Sequence, residues 1–303
     1  MEIIKKVVIC GLGAIGLTCA NKLKKACQLY ILADKKRIEN YKINPPALNG
    51  EIVDLNYVTP EMSEDADLII IATKFSGLDS AINYIKNYVK KDTIIISLIN
   101  GISSEEKIAE IYGREKVLYS YFIGHSAVRE DNNVTQDGVG KIVFGSPFAE
   151  NSDKVRILKN FFQTSGVDCD VPENIMYSLW LKFSLNIFSN QTSAIMNLTF
   201  GDMKKNNAFK EFAGKVVDEI QQIAQKEGIK GAENLKRDSI NALDLMIDSG
   251  KTSMLQDILA GRKTEADMFS GEIIRKGKKY GIQTPYNQVL FDMIKIIEEK
   301  QSL

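Results

Sequence analysis

Several features that mark specialised proteins are scarce in this sequence. The chain has 303 residues, with one His, one Trp and six Pro, and its 39 Lys and Arg residues are balanced by 39 Asp and Glu. A net charge of zero argues against a nucleic-acid-binding protein, because such proteins carry a basic face that displaces phosphate counterions. With 44% hydrophobic and 26% charged residues, the composition is globular and excludes collagen, a disordered chain and a coiled coil.

Cysteine spacing and the length of hydrophobic runs exclude further classes. Cys10, Cys19, Cys27 and Cys169 form no C-x-x-C pair, so neither a zinc site nor a redox dithiol is expected and no metal is predicted. No apolar stretch approaches the roughly 18 residues of a membrane span, and the run at residues 7–10 is too short for a signal peptide. We therefore expect a cytoplasmic protein that binds neither membranes nor nucleic acids.

The first half of the chain alternates β-branched runs with helical patterns, as in a doubly wound, mostly parallel sheet. Runs such as residues 68–73 and 93–98 lack polar alternation, as expected when helices cover both faces of a strand. Weaker strand patterns at 141–144 and 167–171, around a helix near 153–163, should extend the same sheet. The other predicted segments are the strands at 6–10 and 28–32 and the helices at 15–25, 78–89 and 104–111.

The pattern changes after Pro172. Hydrophobic residues such as Phe209, Ala213 and Val216 then recur at helical spacing. The sequence therefore predicts an α/β Rossmann domain over residues 1–171, followed by an all-α domain over residues 172–303.

A glycine-rich turn follows the first strand and opens a helix, which is the context that gives G-x-G-x-x-G its meaning. The first glycine permits a tight turn, the second lets a pyrophosphate approach the backbone, and the third lets helix and strand pack closely. Free N–H groups at the helix start favour an anion there. The sequence thus predicts a dinucleotide site formed by Gly11, Leu12, Gly13, Ala14, Ile15 and Gly16.

The end of the second strand leaves the choice of dinucleotide open. Asp34 is suited to accept the two ribose hydroxyls of NAD, whereas Lys35, Lys36 and Arg37 could neutralise the 2′-phosphate of NADP. A solvated loop with no ligand explains the three basic residues equally well.

A later helix carries a row of polar residues among large apolar ones. Lys182, Asn186 and Asn190 are spaced four residues apart, and at about 100° per residue they form one nearly axial row. Most of the surrounding surface is apolar, from Leu179 to Phe188. Polar side chains in a buried setting are costly unless they are bonded, so we expect the row to line a polar cleft. The alternative is a stripe that simply faces solvent.

Two residues near the C-terminal end are less informative by themselves. Ser253 can act as a hydroxyl ligand or as a helix cap. Glu265 can be an ordinary acid in the first turn of a helix.

These segments together resemble the ketopantoate reductase (2-dehydropantoate 2-reductase) family, and the resemblance covers essentially the whole chain. The order and spacing of the motifs are specific, although each motif alone is weak. The matching segments are residues 11–16, Ala-Thr-Lys at 72–74, Asn-Gly at 100–101, Trp-Leu-Lys at 180–182, Asn186, Asn190, Ser-Met-Leu-Gln-Asp at 253–257, Gly-Arg-Lys-Thr-Glu at 261–265, Gly271 and Pro285.

The resemblance implies reduction of ketopantoate to pantoate by NADPH, in pantothenate and coenzyme A synthesis. It implies a C-terminal domain that binds the small 2-keto acid and forms a homodimer. Catalytic roles are implied for Lys182, Glu265 and Asn100, with Lys182 as proton donor. Substrate binding is implied for Lys182, Asn186, Asn190 and Ser253, and cofactor binding for residues 11–16, Asp34, Lys74, Asn100, Ala127 and Glu265.

Two positions depart from the family pattern. Asp34 stands where members commonly carry an arginine for the 2′-phosphate, so both NADP(H) and NAD(H) remain candidates. Phe200 stands where some members have an asparagine, which leaves another small branched 2-keto acid as an alternative substrate. The lone His125 is interpreted as a loop residue near the cofactor. A non-catalytic NAD(P)-binding sensor is a further alternative, although such a protein would have no need of the proton donor Lys182.

Overall fold

The structure is a computed structural model that describes residues 3–124 and 126–302. Its internal contacts divide the chain into two compact units, Met1–Ile175 (unit 1) and Met176–Leu303 (unit 2). The change of sequence pattern after Pro172 lies just upstream of this division.

Unit 1 is an α/β unit. Its strands are β1 (Lys6–Cys10), β2 (Gln28–Leu32), β3 (Ala47–Leu48), β4 (Glu51–Ile52), β5 (Asn56–Val58), β6 (Ala66–Ile71), β7 (Val89–Ser97), β8 (Val117–Ile123), β9 (Ser126–Glu130), β10 (Asn133–Asp137), β11 (Lys141–Gly145) and β12 (Cys169–Asp170). Its helices are α1 (Ala14–Leu23), α2 (Lys35–Ile43), α3 (Leu78–Tyr84), α4 (Ser104–Tyr112) and α5 (Ser152–Thr164), with 3-10 turns at Phe75–Gly77, Ile85–Asn87, Arg114–Lys116 and Ala149–Asn151.

The main sheet has eight strands in the order β12-β11-β8-β7-β6-β1-β2-β5. Neighbouring strands are parallel, except that β11 runs antiparallel to β8. Ile9, Ile70 and Ile96 stand side by side on β1, β6 and β7 and are fully buried. Each such side chain contributes about 1.5–3 kcal/mol of hydrophobic free energy. The predicted doubly wound sheet is confirmed, and the strand patterns at 141–144 and 167–171 do extend it.

A second sheet, the small sheet, was not predicted. Its strands lie in the order β4-β3-β10-β9. β3 pairs in parallel with β10, so that Ala47 lies opposite Asn133 and Leu48 opposite Val134. β9 and β10 form an antiparallel hairpin. The small sheet packs on α1, where the side chains of Thr18 and Gln136 are hydrogen-bonded.

Helices are the only regular elements that the structure describes in unit 2. Its helices are α6 (Ile175–Met196, whose first residue belongs to unit 1), α7 (Phe200–Lys205), α8 (Asn207–Lys226), α9 (Leu235–Leu243), α10 (Ser253–Leu259), α11 (Ser270–Tyr280) and α12 (Pro285–Ser302), with a 3-10 turn at Ala232–Asn234. The predicted all-α region after the Rossmann sheet is confirmed. Among the described helices, including the largely apolar α6, none is both long and apolar enough to cross a membrane.

The core of unit 2 forms around α6 and α8. Phe183 lies against Trp180 and Phe269, with ring centroids 6.0 and 6.4 Å away, and Phe188 lies 6.0 Å from Phe209. Such aromatic pairs prefer particular relative orientations, in addition to burying apolar area. The apolar side chains of α6 thereby fix this helix within unit 2.

Candidate active site

The glycine turn, residues 11–16, joins β1 to α1. Gly11 has φ +104°, and a Cβ there would lie 2.7 Å from the backbone of Ala72 and Thr73; a Cβ on Gly16 would overlap the Gly11 carbonyl oxygen. These two glycines are therefore required for packing. Gly13 differs, because its Cβ would meet only the Ala72 carbonyl oxygen, at 3.9 Å. The space beside Gly13 and the free N–H groups that begin α1 suit a dinucleotide pyrophosphate.

Two polar residues emerge where the neighbouring strands end. Lys74 follows β6 and is exposed, and its carbonyl accepts the Gly77 N–H at 2.9 Å. Asn100 follows β7, is partly buried and precedes Gly101, which has φ +109°. Because β1, β6 and β7 are adjacent parallel strands, both residues lie at the sheet edge that carries the glycine turn. Ligands of doubly wound sheets bind at this edge.

Asp34 is the N-cap of α2. Its Oδ1 accepts the Arg37 N–H at 2.8 Å, and its Oδ2 lies 3.4 Å from Arg37 Nε. Lys35, Lys36 and Arg37 form the first turn of this helix, so the expected loop is wrong, although the three residues are exposed to solvent as that interpretation supposed. An aspartate cap satisfies a free N–H and complements the helix dipole. The Asp34 side chain remains 37% exposed.

The small sheet brings β9 beside the glycine turn. Arg129, on β9, donates from Nη1 to the Leu12 carbonyl at 3.1 Å. Ala127 lies two residues earlier, is partly buried against the unit 1 core and pairs with Gln136 on β10. His125, which was interpreted as a loop residue near the cofactor, lies outside the described residues. Arg129 was not singled out from the sequence, because its contact with the turn spans 117 positions.

A buried carboxylate supports the segment that carries Asn100. Glu105, 1% exposed in the first turn of α4, accepts the Ser104 hydroxyl at 2.8 Å and the Ser120 N–H at 3.2 Å. The Ser120 hydroxyl in turn donates to the Ser97 carbonyl at 2.7 Å. Burial raises the pKa of Glu105 to about 7, and the hydrogen bonds from Ser104 and Ser120 oppose that rise. Ser97 and Glu105, which flank Asn100 in the sequence, are thus both hydrogen-bonded to Ser120 on β8.

The polar row on α6 is present as predicted. Asn190 is 5% exposed, whereas Lys182 and Asn186 are partly buried. Asn190 Nδ2 donates to Asn186 Oδ1 at 3.4 Å, so the two amides are linked along the helix. The stripe is therefore not an ordinary solvated face.

Ser253 meets this row. The Ser253 hydroxyl donates to Asn190 Oδ1 at 3.0 Å, and the Met254 N–H donates to the same oxygen at 3.2 Å. The helix cap at this point is Thr252, whose hydroxyl accepts the Leu255 N–H at 3.3 Å. The capping alternative for Ser253 is therefore wrong, since Ser253 is the first residue of α10 and uses its hydroxyl on Asn190.

These contacts decide which way the two amides face. A backbone N–H can only donate, so the Asn190 oxygen must face Met254, and its NH₂ group then faces Asn186. Asn186 consequently uses its oxygen toward Asn190. Its NH₂ group makes no hydrogen bond within the described residues and can donate to a bound hydroxyl or carboxylate.

Glu265 and Phe200 lie elsewhere in unit 2. Glu265 is partly buried in a turn before α11, where its carbonyl accepts the Met268 N–H at 3.0 Å; it therefore precedes the helix, and the alternative of a first-turn acid is wrong. Phe200 begins α7, and its N–H donates to the Gly250 carbonyl at 3.2 Å. Its ring is so close to Gly250 that a Cβ there would lie 3.1 Å from Phe200 Cδ2.

A second polar network, which the sequence did not indicate, sets the rotation of α6. Gln191, adjacent to Asn190, donates to the Ser270 hydroxyl at 2.7 Å, which donates to Asn287 Oδ1 at 3.0 Å. Asn287 Nδ2 donates to Glu219 at 2.7 Å. All four residues are buried. The only signal in the sequence was Gln191, a polar residue within an apolar helix. The other three residues of the network lie on three other helices.

Comparison with known proteins decides the family. The family profile "Ketopantoate reductase PanE/ApbA" matches residues 7–147, and "Ketopantoate reductase PanE/ApbA C terminal" matches residues 174–298. A 2-dehydropantoate 2-reductase of Pyrococcus horikoshii is 30% identical over 303 residues, covering 97% of each chain. The chain belongs to the ketopantoate reductase family. It is accordingly an NAD(P)-dependent oxidoreductase, as predicted.

Other relatives widen the comparison. A 2-dehydropantoate 2-reductase of Streptococcus pyogenes is 25% identical over 95% of this chain and 96% of its own. Among solved structures, D-mandelate dehydrogenase with NADH and anilino(oxo)acetate is 26% identical, with a TM-score of 0.87 over 98% of this chain and 100% of that chain. A family member from Ralstonia eutropha, 23% identical with a TM-score of 0.82 over 98% of this chain and all of its own, shares the fold.

Proposed function

We propose that the protein reduces ketopantoate to pantoate with a reduced nicotinamide cofactor. The observation that carries the proposal is the polar row on α6, in which Asn190 is fixed by Ser253 and Asn186 is left with donor N–H groups. A substrate with a carboxylate, a keto group and a hydroxyl needs this set of donors beside an acid. The 30% identical Pyrococcus relative supports this choice of substrate.

The proposed chemistry assigns one role to each group. A bound reduced nicotinamide cofactor supplies a hydride to the keto carbon. The Lys182 ammonium gives a proton to the keto oxygen, so that the C=O bond becomes CH–OH, and its charge stabilises the developing alkoxide. Asn186, Asn190 and Ser253 orient the substrate through its hydroxyl and carboxylate. We assign Glu265 and Asn100 to hold the reacting groups, and Lys74, Ala127 and the glycine turn to hold the cofactor.

We propose NADH as the preferred cofactor. The Asp34 carboxylate stands at the end of β2, where the adenosine ribose of a dinucleotide lies in this fold, and it can accept two ribose hydroxyls. A 2′-phosphate at this point would face the negative charge of the Asp34 carboxylate. Arg37 is already paired with that carboxylate. The NADH-bound D-mandelate dehydrogenase supports the same choice.

A second candidate is the reduction of a bulkier 2-keto acid. Two observations favour it: the similarity to D-mandelate dehydrogenase, and Phe200 at a position where some family members have an amide. Initial rates with ketopantoate, phenylglyoxylate and unbranched 2-keto acids, each with NADH and NADPH, separate the candidates. A ketopantoate kcat/KM at least tenfold above the others supports the first proposal. Cofactor binding without turnover of any acid would favour a sensor.

We further propose a homodimer. Val289, Met293 and Ile296 are exposed apolar residues that recur along α12, and a second copy would remove them from water. Sedimentation equilibrium gives the mass of the assembly directly, and a monomer at all concentrations would contradict the proposal.

A further inference from the structure

The glycine turn has no cation of its own. Residues 11–16 are glycine or apolar, so their contribution to an anion is limited to backbone N–H groups and the dipole of α1. A dinucleotide pyrophosphate carries two negative charges, and a cation beside the turn would bind it more strongly than amides alone.

Arg129 is a cation anchored at that turn. Its guanidinium donates from Nη1 to the Leu12 carbonyl at 3.1 Å, from Nε to the Asp131 carbonyl at 2.6 Å and from Nη2 to Asn132 Oδ1 at 3.1 Å. Asn132 is itself held, because its Nδ2 donates to the Asn44 carbonyl at 2.7 Å. These three hydrogen bonds fix the position of the guanidinium, and none of their acceptors is charged.

The charge of Arg129 is not neutralised within the described part of the chain. The three acceptors are two carbonyl groups and an amide, and no described carboxylate lies within ion-pair distance of the guanidinium. Of five guanidinium N–H groups, one on each terminal nitrogen is left to donate. By contrast, Arg37 and Arg156 each have an aspartate partner.

We propose that Arg129 binds the pyrophosphate of the nicotinamide cofactor, as the cation of the glycine turn. The proposal rests on the proposed use of this turn by NAD(H) or NADP(H). The packing of the small sheet on α1 places this β9 cation at the turn. Because the pyrophosphate is common to both cofactors, Arg129 strengthens the binding of each by the same factor, unlike a residue that reads the 2′-phosphate.

The test measures cofactor binding by the Arg129→Gln and Arg129→Lys variants. Binding is monitored through the fluorescence of the reduced cofactor, at low and at high salt. Gln keeps a donor for Leu12 without charge, whereas Lys keeps the charge. We expect Arg129→Gln to weaken NADH and NADPH equally, by about tenfold or more, and to flatten the salt dependence, while Lys retains most of the affinity. Calorimetry should show the same loss for ADP-ribose and none for adenosine. Arg156→Gln, an exposed arginine on α5, is the matched control and should bind normally.

Each other outcome overturns the proposal. Unchanged binding by Arg129→Gln would show that no cation is needed here. A loss confined to NADPH would assign Arg129 to the 2′-phosphate. Equal losses for Gln and Lys, accompanied by a lower Tm, would assign it to the fold alone. Wild-type protein that binds neither cofactor nor ADP-ribose would instead refute the proposed function, and the role of Arg129 with it.

Discussion

Ser253 donates its hydroxyl hydrogen to Asn190 Oδ1 at 3.0 Å, which joins the start of α10 to α6 across 63 positions of the chain. The same Asn190 oxygen accepts the Met254 N–H. Asn190 is therefore both a candidate substrate ligand and the support of the amide beside it, and these two roles can be separated by substitution.

Asn190→Asp should leave the fold intact but impair substrate binding. Aspartate keeps the acceptor for Ser253 and Met254, but it loses the Nδ2 donor to Asn186 and places a charge at a site that is 5% exposed. We expect that charge to repel a substrate carboxylate and raise KM for the keto acid at least tenfold, and the loss of unfolding free energy to shrink at low pH, where the carboxyl is neutral. Asn190→Ala, in contrast, strands the buried Met254 N–H and should cost about 1–3 kcal/mol of stability. Urea unfolding and steady-state kinetics on both variants provide the check, and an unchanged KM in Asn190→Asp would remove Asn190 from the substrate site.

Lys182→Met should remove the proton donor. Loss of a general acid lowers kcat by about 10²–10⁴-fold, while NADH affinity should stay near that of the wild type, because the cofactor is assigned to unit 1. Lys226→Met, at the exposed end of α8, serves as control and should retain full activity. Rapid-mixing kinetics at saturating cofactor measure the chemical step, and full turnover by Lys182→Met would exclude Lys182 as the acid.

Gly13→Ala and Gly16→Ala should fail in different ways. A methyl group on Gly16 overlaps the Gly11 carbonyl, so this variant should unfold more readily. A methyl group on Gly13 meets only the Ala72 oxygen at 3.9 Å, so Gly13→Ala should keep the wild-type Tm and lose cofactor affinity at least tenfold, since the methyl occupies the proposed pyrophosphate space. Thermal unfolding with and without NADH distinguishes the two. Normal NADH affinity in Gly13→Ala would place the cofactor elsewhere.

Asp34→Asn should shift cofactor preference toward NADPH. Asparagine is as good an N-cap as aspartate, so α2 should persist while the negative charge beside the ribose disappears. We expect the ratio of kcat/KM for NADH over NADPH to fall about tenfold, the effect of a free-energy change of about 1.4 kcal/mol. Asp34→Ala removes the cap as well and shows the cost of capping separately. A ratio that does not move would mean that Asp34 serves only α2.

Glu105 should make stability depend on pH. Its ordinary pKa of 4.5 is raised by burial to about 7, so the folded state holds a proton that the unfolded state has lost between these values. The stabilising contribution is complete below pH 4.5 and is lost as pH rises through about 7, by on the order of 3 kcal/mol. Urea unfolding between about pH 5 and about pH 8 should show this decline in the wild type and not in Glu105→Gln. Parallel curves for the two proteins would contradict the assignment.

The elements that could be predicted from sequence are those whose burial is local and periodic. β1 and β2 begin and end at the predicted residues because continuous apolar runs mark strands covered on both faces. α2 could not be predicted, since only Ile38 and Tyr41 are buried in a segment rich in charge. The small sheet was missed because β3 and β4 have two residues each and pair with distant or exposed segments.

The candidate site divides in the same way. The spacing of Lys182, Asn186 and Asn190 lies within one helix, so periodicity was enough to place them together. The links from Asn190 to Ser253 and from Arg129 to Leu12 connect different elements, and no local pattern encodes them. Sequence therefore indicated the polar residues but not the partners that orient them.

The parallel pairing of β3 with β10 also bears on the order in which the protein folds. Asn49 and Gln136 are hydrogen-bonded across 87 positions, and contacts so distant in sequence lose more chain entropy on closing than a local hairpin does. The β1–α1–β2 unit can assemble from nearby segments, whereas the small sheet must wait until most of unit 1 has been synthesised. A nascent chain would then display its glycine turn before Arg129 arrives, so the pyrophosphate site proposed for Arg129 would be completed late in folding.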